Sequence, residues 1–167
     1  MIALLVLVAG ADWIGAREPV KVEPPAKKSE VGLFPVPQNG KWGYMDKDGD
    51  IAISPRFDYA ASFSDGMAAI MMADANGRER IGYIDTDGKI VVEAQFEAGY
   101  DFTEGLAPVQ VDGLFGFIDK TGKMVIRAQF QGAIGFSEGL AAVKIGDHWG
   151  FIDKAEKVII EAQFEWA

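Results

Sequence analysis

At 167 residues, 49% apolar and 25% charged, the chain is long enough for one domain with a substantial core and short for two. Its 20 glycines favour a turn-rich fold over a helical bundle, and with no cysteine it has no disulfide framework, thiolate nucleophile or acylated lipoprotein cysteine. A net charge of -9 opposes binding to nucleic-acid phosphates, and the 16 basic side chains do not gather in the repeated region.

In chain order, Ile2 to Val8 is an unbroken apolar run followed by Ala9-Gly10-Ala11, the small-x-small pattern of a signal-peptidase site. Residues 1–11 therefore read as an export signal, destined for periplasm, envelope or medium, although no Lys or Arg precedes the run. The alternative is a buried strand or plain terminus in a cytoplasmic protein. No transmembrane span is expected, since Asp12 interrupts the apolar stretch far short of the roughly 20 residues a bilayer needs. Residues 12–28 interleave Pro19, Pro24 and Pro25 with Arg17, Lys21, Lys27 and Lys28, the composition of a tether.

From Ser29 onward the chain repeats. Gly43-Tyr44-Met45-Asp46, Gly82-Tyr83-Ile84-Asp85, Gly116-Phe117-Ile118-Asp119 and Gly150-Phe151-Ile152-Asp153 start at spacings of 39, 34 and 34 residues. Phe57, Phe96, Phe130 and Phe164 each follow 14 positions later, and Gly49, Gly88 and Gly122 follow 6 positions later, where the last unit has Glu156. A second block recurs as Phe63-Ser64-Asp65-Gly66, Phe102-Thr103-Glu104-Gly105 and Phe136-Ser137-Glu138-Gly139, with a disguised copy at Ser29-Glu30-Val31-Gly32. The units run over about 29–62, 63–101, 102–135 and 136–167.

Within a unit, Met124, Ile126, Ala128 and Phe130 alternate with polar or smaller partners, the pattern of a half-buried strand. Leu114 to Asp119 is apolar on both faces and suits a central strand, Leu106 to Val111 supplies another, and Asp119-Lys120-Thr121-Gly122 forms a hairpin with glycine where positive φ is required. The expected fold is all-β: four three-stranded antiparallel meanders, each followed by a loop or short helical turn such as Gln131 to Glu138. One meander cannot bury its own apolar face, so neighbours must stack. An open solenoid-like array is expected, with a closed propeller-like ring as the alternative.

The aromatic-Gly-aromatic-apolar-Asp pattern, with Lys41-Trp42-Gly43 and His148-Trp149-Gly150 beside the F-S-E-G-L-A block, resembles the WG-repeat (KWG-repeat) family. Ile81-Gly82 and Phe115-Gly116 keep bulk at that position without the indole. The resemblance implies a mainly bacterial interaction or structural module and supplies no catalytic residues.

Asp46-Lys47-Asp48-Gly49-Asp50 begins like an EF-hand loop, but Ile51 and Phe57 stand where that motif needs glycine and a bidentate glutamate, so a turn is expected. A lone histidine, His148, leaves no triad or histidine metal centre, and no Gly-rich phosphate loop is present. Acids that recur in every unit, such as Asp65, Glu104 and Glu138, read as turn residues. Trp42, Phe115 and Trp149 with Gly43, Gly82, Gly116 and Gly150 read as repeat-defining core, each glycine leaving room for a neighbouring ring, with an aromatic ladder for sugars as the alternative. Ser54, Glu93, Arg127 and Glu161, equivalent positions differing in charge, are the expected partner surface. The expectation is a non-enzymatic module with no cofactor or metal, binding a protein or a cell-envelope polymer. A carbohydrate-active enzyme and a calcium-tuned spacer are the alternatives. Trp166 is expected either to cap the last core layer or to mark an interface with another molecule.

Overall fold

The structure, a computed structural model, describes residues 32–166. The candidate export signal, the tether and Ser29 to Val31 of the first unit lie outside the described residues.

Each unit forms one antiparallel sheet, because its apolar alternation is interrupted by turns every few residues and only pairing satisfies the backbone between them. The first unit comprises β1 (Phe34–Gln38), β2 (Lys41–Met45) and β3 (Ile51–Phe57), paired in that order. The second adds a two-residue strand, β4 (Tyr59–Ala60), to β5 (Met67–Ala73), β6 (Glu79–Asp85) and β7 (Ile90–Phe96). The third holds β8 (Ala98–Gly99), β9 (Leu106–Val111), β10 (Leu114–Asp119) and β11 (Met124–Phe130). The fourth holds β12 (Gly132–Ala133), β13 (Leu140–Ile145), β14 (His148–Asp153) and β15 (Val158–Phe164). The meanders are as expected, with the both-face apolar segment central. The connection after each meander differs from expectation. Where a loop or helical turn is expected at Gln131 to Glu138, Gly132 and Ala133 pair with Lys144 and Val143, so the chain adds a fourth strand to the next sheet. Extended backbone here lets Gln131 and Ile134 N–H donate to carbonyls of β13 as well, so these donors serve the sheet and not a helical turn.

The glycine before the second aromatic has a specific cause. Phe117 pairs with Ile126 and Phe115 with Phe130, so three residues of β11 face the single Gly116 across a bulge. A Cβ on Gly116 would lie 2.6 Å from Ala128 N and 2.7 Å from Arg127 C, and Gly43, Gly82 and Gly150 meet the same backbone in their own units. The room these glycines leave is filled by the neighbouring strand's backbone, not by a neighbouring ring. The reason is that a bulged strand curls toward its partner and closes the gap a side chain would need.

The core lies between units. Tyr44, Ile53, Phe57 and Phe63 pack on Ala68, Ile70 and Ile84 of the second unit. Tyr83, Val92, Phe96 and Phe102 pack on Ala107, Val109 and Ile118 of the third. Phe117, Ile126, Phe130 and Phe136 pack on Ala141, Val143 and Ile152 of the fourth. Burial of such a side chain is worth about 1.5–3 kcal/mol, so stability accumulates at unit–unit junctions. No sheet closes on itself, and no cluster among the described residues joins the fourth unit to the first. The array is open.

Candidate functional site

The two-residue strands build a groove across the second, third and fourth units. By crossing from one sheet to the next, they carry side chains of the connections onto one side of the array, opposite the residue before each repeat glycine. Tyr59, Tyr100, Ile134, Ile81, Phe115 and Trp149 supply its large apolar side chains, and its volume is about 740 Å³. Tyr59 is 46% exposed, Tyr100 54% and Ile134 45%, so apolar surface is presented to solvent on three successive units.

The rings are placed by their neighbours. Tyr100 stacks on Phe115 with centroids 5.9 Å apart and planes inclined by 26°. Trp42 leans on Tyr59 at 5.6 Å. Gly132 seats the Trp149 indole, because a Cβ there would come within 2.9 Å of Cη2. Gly99 does the same for Ile81 and the Tyr83 hydroxyl, at 2.9 and 2.5 Å. Beneath the groove, the Tyr83 hydroxyl donates to the Tyr100 carbonyl at 2.9 Å, and burial holds its pKa far above the ordinary tyrosine value, so it remains a donor. Polar groups punctuate this apolar floor: Asp101, Thr103 and Gln131. The Thr103 hydroxyl is buried and has no protein partner, whereas its equivalent, the Ser64 hydroxyl, donates to the Phe102 carbonyl at 2.8 Å.

A second repeated feature is a ladder of acids. Asp65 and Glu104 sit at positive φ in tight turns, each followed by a glycine also at positive φ. Each carboxylate reaches the corresponding turn of the next unit. Gly105 N–H donates to Asp65 at 2.7 Å, and Gly139 N–H donates to Glu104 at 3.2 Å. Lysines complete each rung, Lys120 on Asp65 at 2.8 Å and Lys154 on Glu104 at 3.1 Å. Both carboxyls are held below the usual range, mainly by their lysine and then by other contacts that include the glycine N–H.

The remaining recurrent acids are committed to hairpins. Asp46 Oδ1 accepts from the N–H groups of Asp48 and Asp50 at 2.9 and 3.0 Å, and Asp85, Asp119 and Asp153 repeat the arrangement. The EF-hand-like run is thus one of four equivalent turns, and no group of three or more potential metal ligands is assembled among the described residues.

Ser54, Glu93, Arg127 and Glu161 are all exposed at equivalent bulge positions of β3, β7, β11 and β15, and none of them lines the groove. Of the repeat-defining residues, Phe115 and Trp149 are groove wall as well as packing, while Gly43, Gly82, Gly116 and Gly150 admit the bulges. Sequence reasoning missed Tyr59, Tyr100 and Ile134. The available signal was that large apolar side chains stand two or four positions before the repeating Phe, in stretches with no strand alternation. Trp166 is 85% exposed and caps nothing among the described residues.

Among those residues no helix is long and apolar enough to cross a membrane. The family model for a WG containing repeat matches residues 42–74, 81–115, 115–147 and 149–167. No curated protein and no solved structure matches the chain.

Proposed function

We propose a non-catalytic binding role for this chain, which belongs to the WG-repeat family: the groove holds an extended partner, a protein segment or a cell-envelope polymer, across successive units. The observation that carries this reading is the row of exposed Tyr59, Tyr100 and Ile134 beside Phe115 and Trp149. Rigid aromatic faces give contact area at low entropic cost, and Asp101, Gln131 and the unpartnered Thr103 hydroxyl supply the few polar groups that orient a ligand. The same recurrence supports a role without catalysis, since the repeated acids are bound into turns and rungs. Export by residues 1–11, with residues 12–28 as tether, is part of the proposal and places an envelope partner within reach.

The test is titration by intrinsic fluorescence with two probes, soluble peptidoglycan fragments and unstructured apolar peptides. The expected result is a saturable change with one probe, weakened about tenfold or more by Tyr100→Ala or Trp149→Ala in a chain that still melts cooperatively. Saturation unaffected by either substitution would move the site elsewhere, and no saturation with either probe would remove the reading.

A further inference from the structure

One acid in the groove is not explained by the repeat. The acids that recur are committed: Asp46, Asp85, Asp119 and Asp153 accept from their own hairpins, while Asp65 and Glu104 accept from the turn of the next unit. Asp101 does not recur. The residue before each repeating Phe is Ser62 before Phe63, Asp101 before Phe102 and Gly135 before Phe136. A residue type held in one unit alone is not required by the turn or by the stacking that all units share. Tyr100 beside it is equally particular to its unit, with Ala61 and Ile134 as equivalents.

Asp101 is half-buried and makes no hydrogen bond or ion pair among the described residues. The nearby phenols are already spent: the Tyr44 and Tyr83 hydroxyls donate to the Ala61 and Tyr100 carbonyls at 2.7 and 2.9 Å. Both feel its charge all the same. After burial it is the next cause raising the pKa of Tyr83, and after burial and Tyr59 it raises that of Tyr44. Among the described residues lining the groove, Asp101 is the one charged side chain. Gln131 is partly engaged, its Oε1 accepting from Gly146 N–H at 3.1 Å. The groove therefore combines large apolar side chains with one uncommitted carboxylate. A sugar polymer presents hydroxyls along most of its surface and needs several free polar partners. A basic side chain matches better, having an apolar stem under a cationic head. Arginine matches best, because its planar guanidinium stacks on an aromatic face and forks onto a carboxylate. Tyr100 stacks on Phe115 and is still 54% exposed, which leaves ring surface for that purpose. The chain's net charge of -9 favours the approach of a basic partner.

We infer that the groove takes an arginine-bearing segment of a protein partner, with the guanidinium on the open side of Tyr100 and its N–H groups on the Asp101 carboxylate. The inference rests on the groove being the binding site proposed above, and it names the chemistry of the occupant. Apolar neighbours of the arginine occupy the wall formed by Ile81, Ile134 and Trp149. Asp101 then selects the segment, while the apolar wall supplies contact area common to many segments.

The test is titration of the full-length chain, followed by intrinsic fluorescence, with three unstructured apolar peptides lacking Trp and Tyr. They differ at one central position, which is arginine, lysine or citrulline, the last a neutral isostere of arginine. The expected result is saturation by the arginine peptide about tenfold tighter than by the citrulline peptide, with lysine between them. The gap narrows as salt is raised. Asp101→Asn keeps the side chain's shape and closes the gap, in a chain that still melts cooperatively. Equal affinities for arginine and citrulline in the wild-type chain, both weakened by Tyr100→Ala, would overturn the inference and leave the groove as the binding site. Saturation by soluble peptidoglycan fragments but by none of the peptides would do the same. A gap that survives Asp101→Asn would overturn the role of Asp101, and no saturation by any probe would remove the inference together with the reading it rests on.

Discussion

Strands β11 and β15 are built from nearly the same sequence, Met124 to Phe130 and Val158 to Phe164, and pair with their central strands through the same bulge. Their burial is unlike. Ile126 and Phe130 are buried, at 1% and 5% exposed, while their equivalents Ile160 and Phe164 are half-buried and 42% exposed. Local sequence therefore sets the strand and its register, and the following unit sets how much that strand contributes to stability.

The sharpest way to break this comparison is to truncate the same ring twice. Phe130→Ala leaves a cavity between the third and fourth units and is expected to cost about 3–5 kcal/mol. Phe164→Ala, measured in dilute protein, is expected to cost about 0.5 kcal/mol, as at other exposed positions. Urea unfolding of both variants gives the two values. Equal losses would mean that the fourth unit's trailing face is covered in solution even at low concentration.

Glycine substitution sharpens the same contrast. Alanine at Gly116 puts a Cβ against the backbone of β11, which the fourth unit holds in place from behind, and the expected cost is about 3 kcal/mol. Alanine at Gly150 meets the corresponding atoms of β15, at 2.8 Å from Ala162 N, but no described unit packs behind that strand. The strand has freedom to shift, and the expected cost is about half as large. Thermal melts of the two variants decide it.

Much of this was legible in the sequence, for stated reasons. The period, the central strands and the hairpin glycines follow from alternation and turn chemistry, which act within a few residues. The two-residue strands were not legible, because Gly132-Ala133 and Ala98-Gly99 have no alternation to read and pair only once the next unit is in place. The groove was hidden for the same reason: Tyr100 and Phe115 stack at 5.9 Å although each reads locally as an ordinary residue of its own segment. The acids at positions 65 and 104 read correctly as turn residues, but their reach to the next unit's glycine is a property of the stack.

The ladder adds a pH dependence to the unit junctions. The Asp65 carboxyl is held below its ordinary value by Lys120 first, so its contribution is complete above the unfolded carboxylate pKa of about 4 and is lost as pH falls through the lower folded value. Asp65→Asn is expected to cost about 0.5–1 kcal/mol at neutral pH and to flatten the stability profile below about pH 4. Unfolding followed from pH 7 to 3 measures both. A variant whose profile still matches the wild-type chain would remove Asp65 from the ladder's energetics.

The smallest effect concerns the one turn that departs from glycine. Gly49, Gly88 and Gly122 have φ of +90°, +79° and +85°, and Glu156 occupies the same place at +66°. A side chain in that region costs about 1 kcal/mol or more, partly offset by the entropy glycine loses on folding. Glu156→Gly is therefore expected to stabilise by about 0.5 kcal/mol, after giving up the exposed bond from Gln129 Nε2 at 2.6 Å. The converse change, Gly122→Ala, is expected to cost more than this gain, because a Cβ there also comes within 3.1 Å of Val92 on the preceding unit. Paired thermal melts read both. A gain at position 156 as large as the loss at 122 would mean that backbone strain alone governs the turn, and that contact with the preceding unit adds nothing to the preference for glycine.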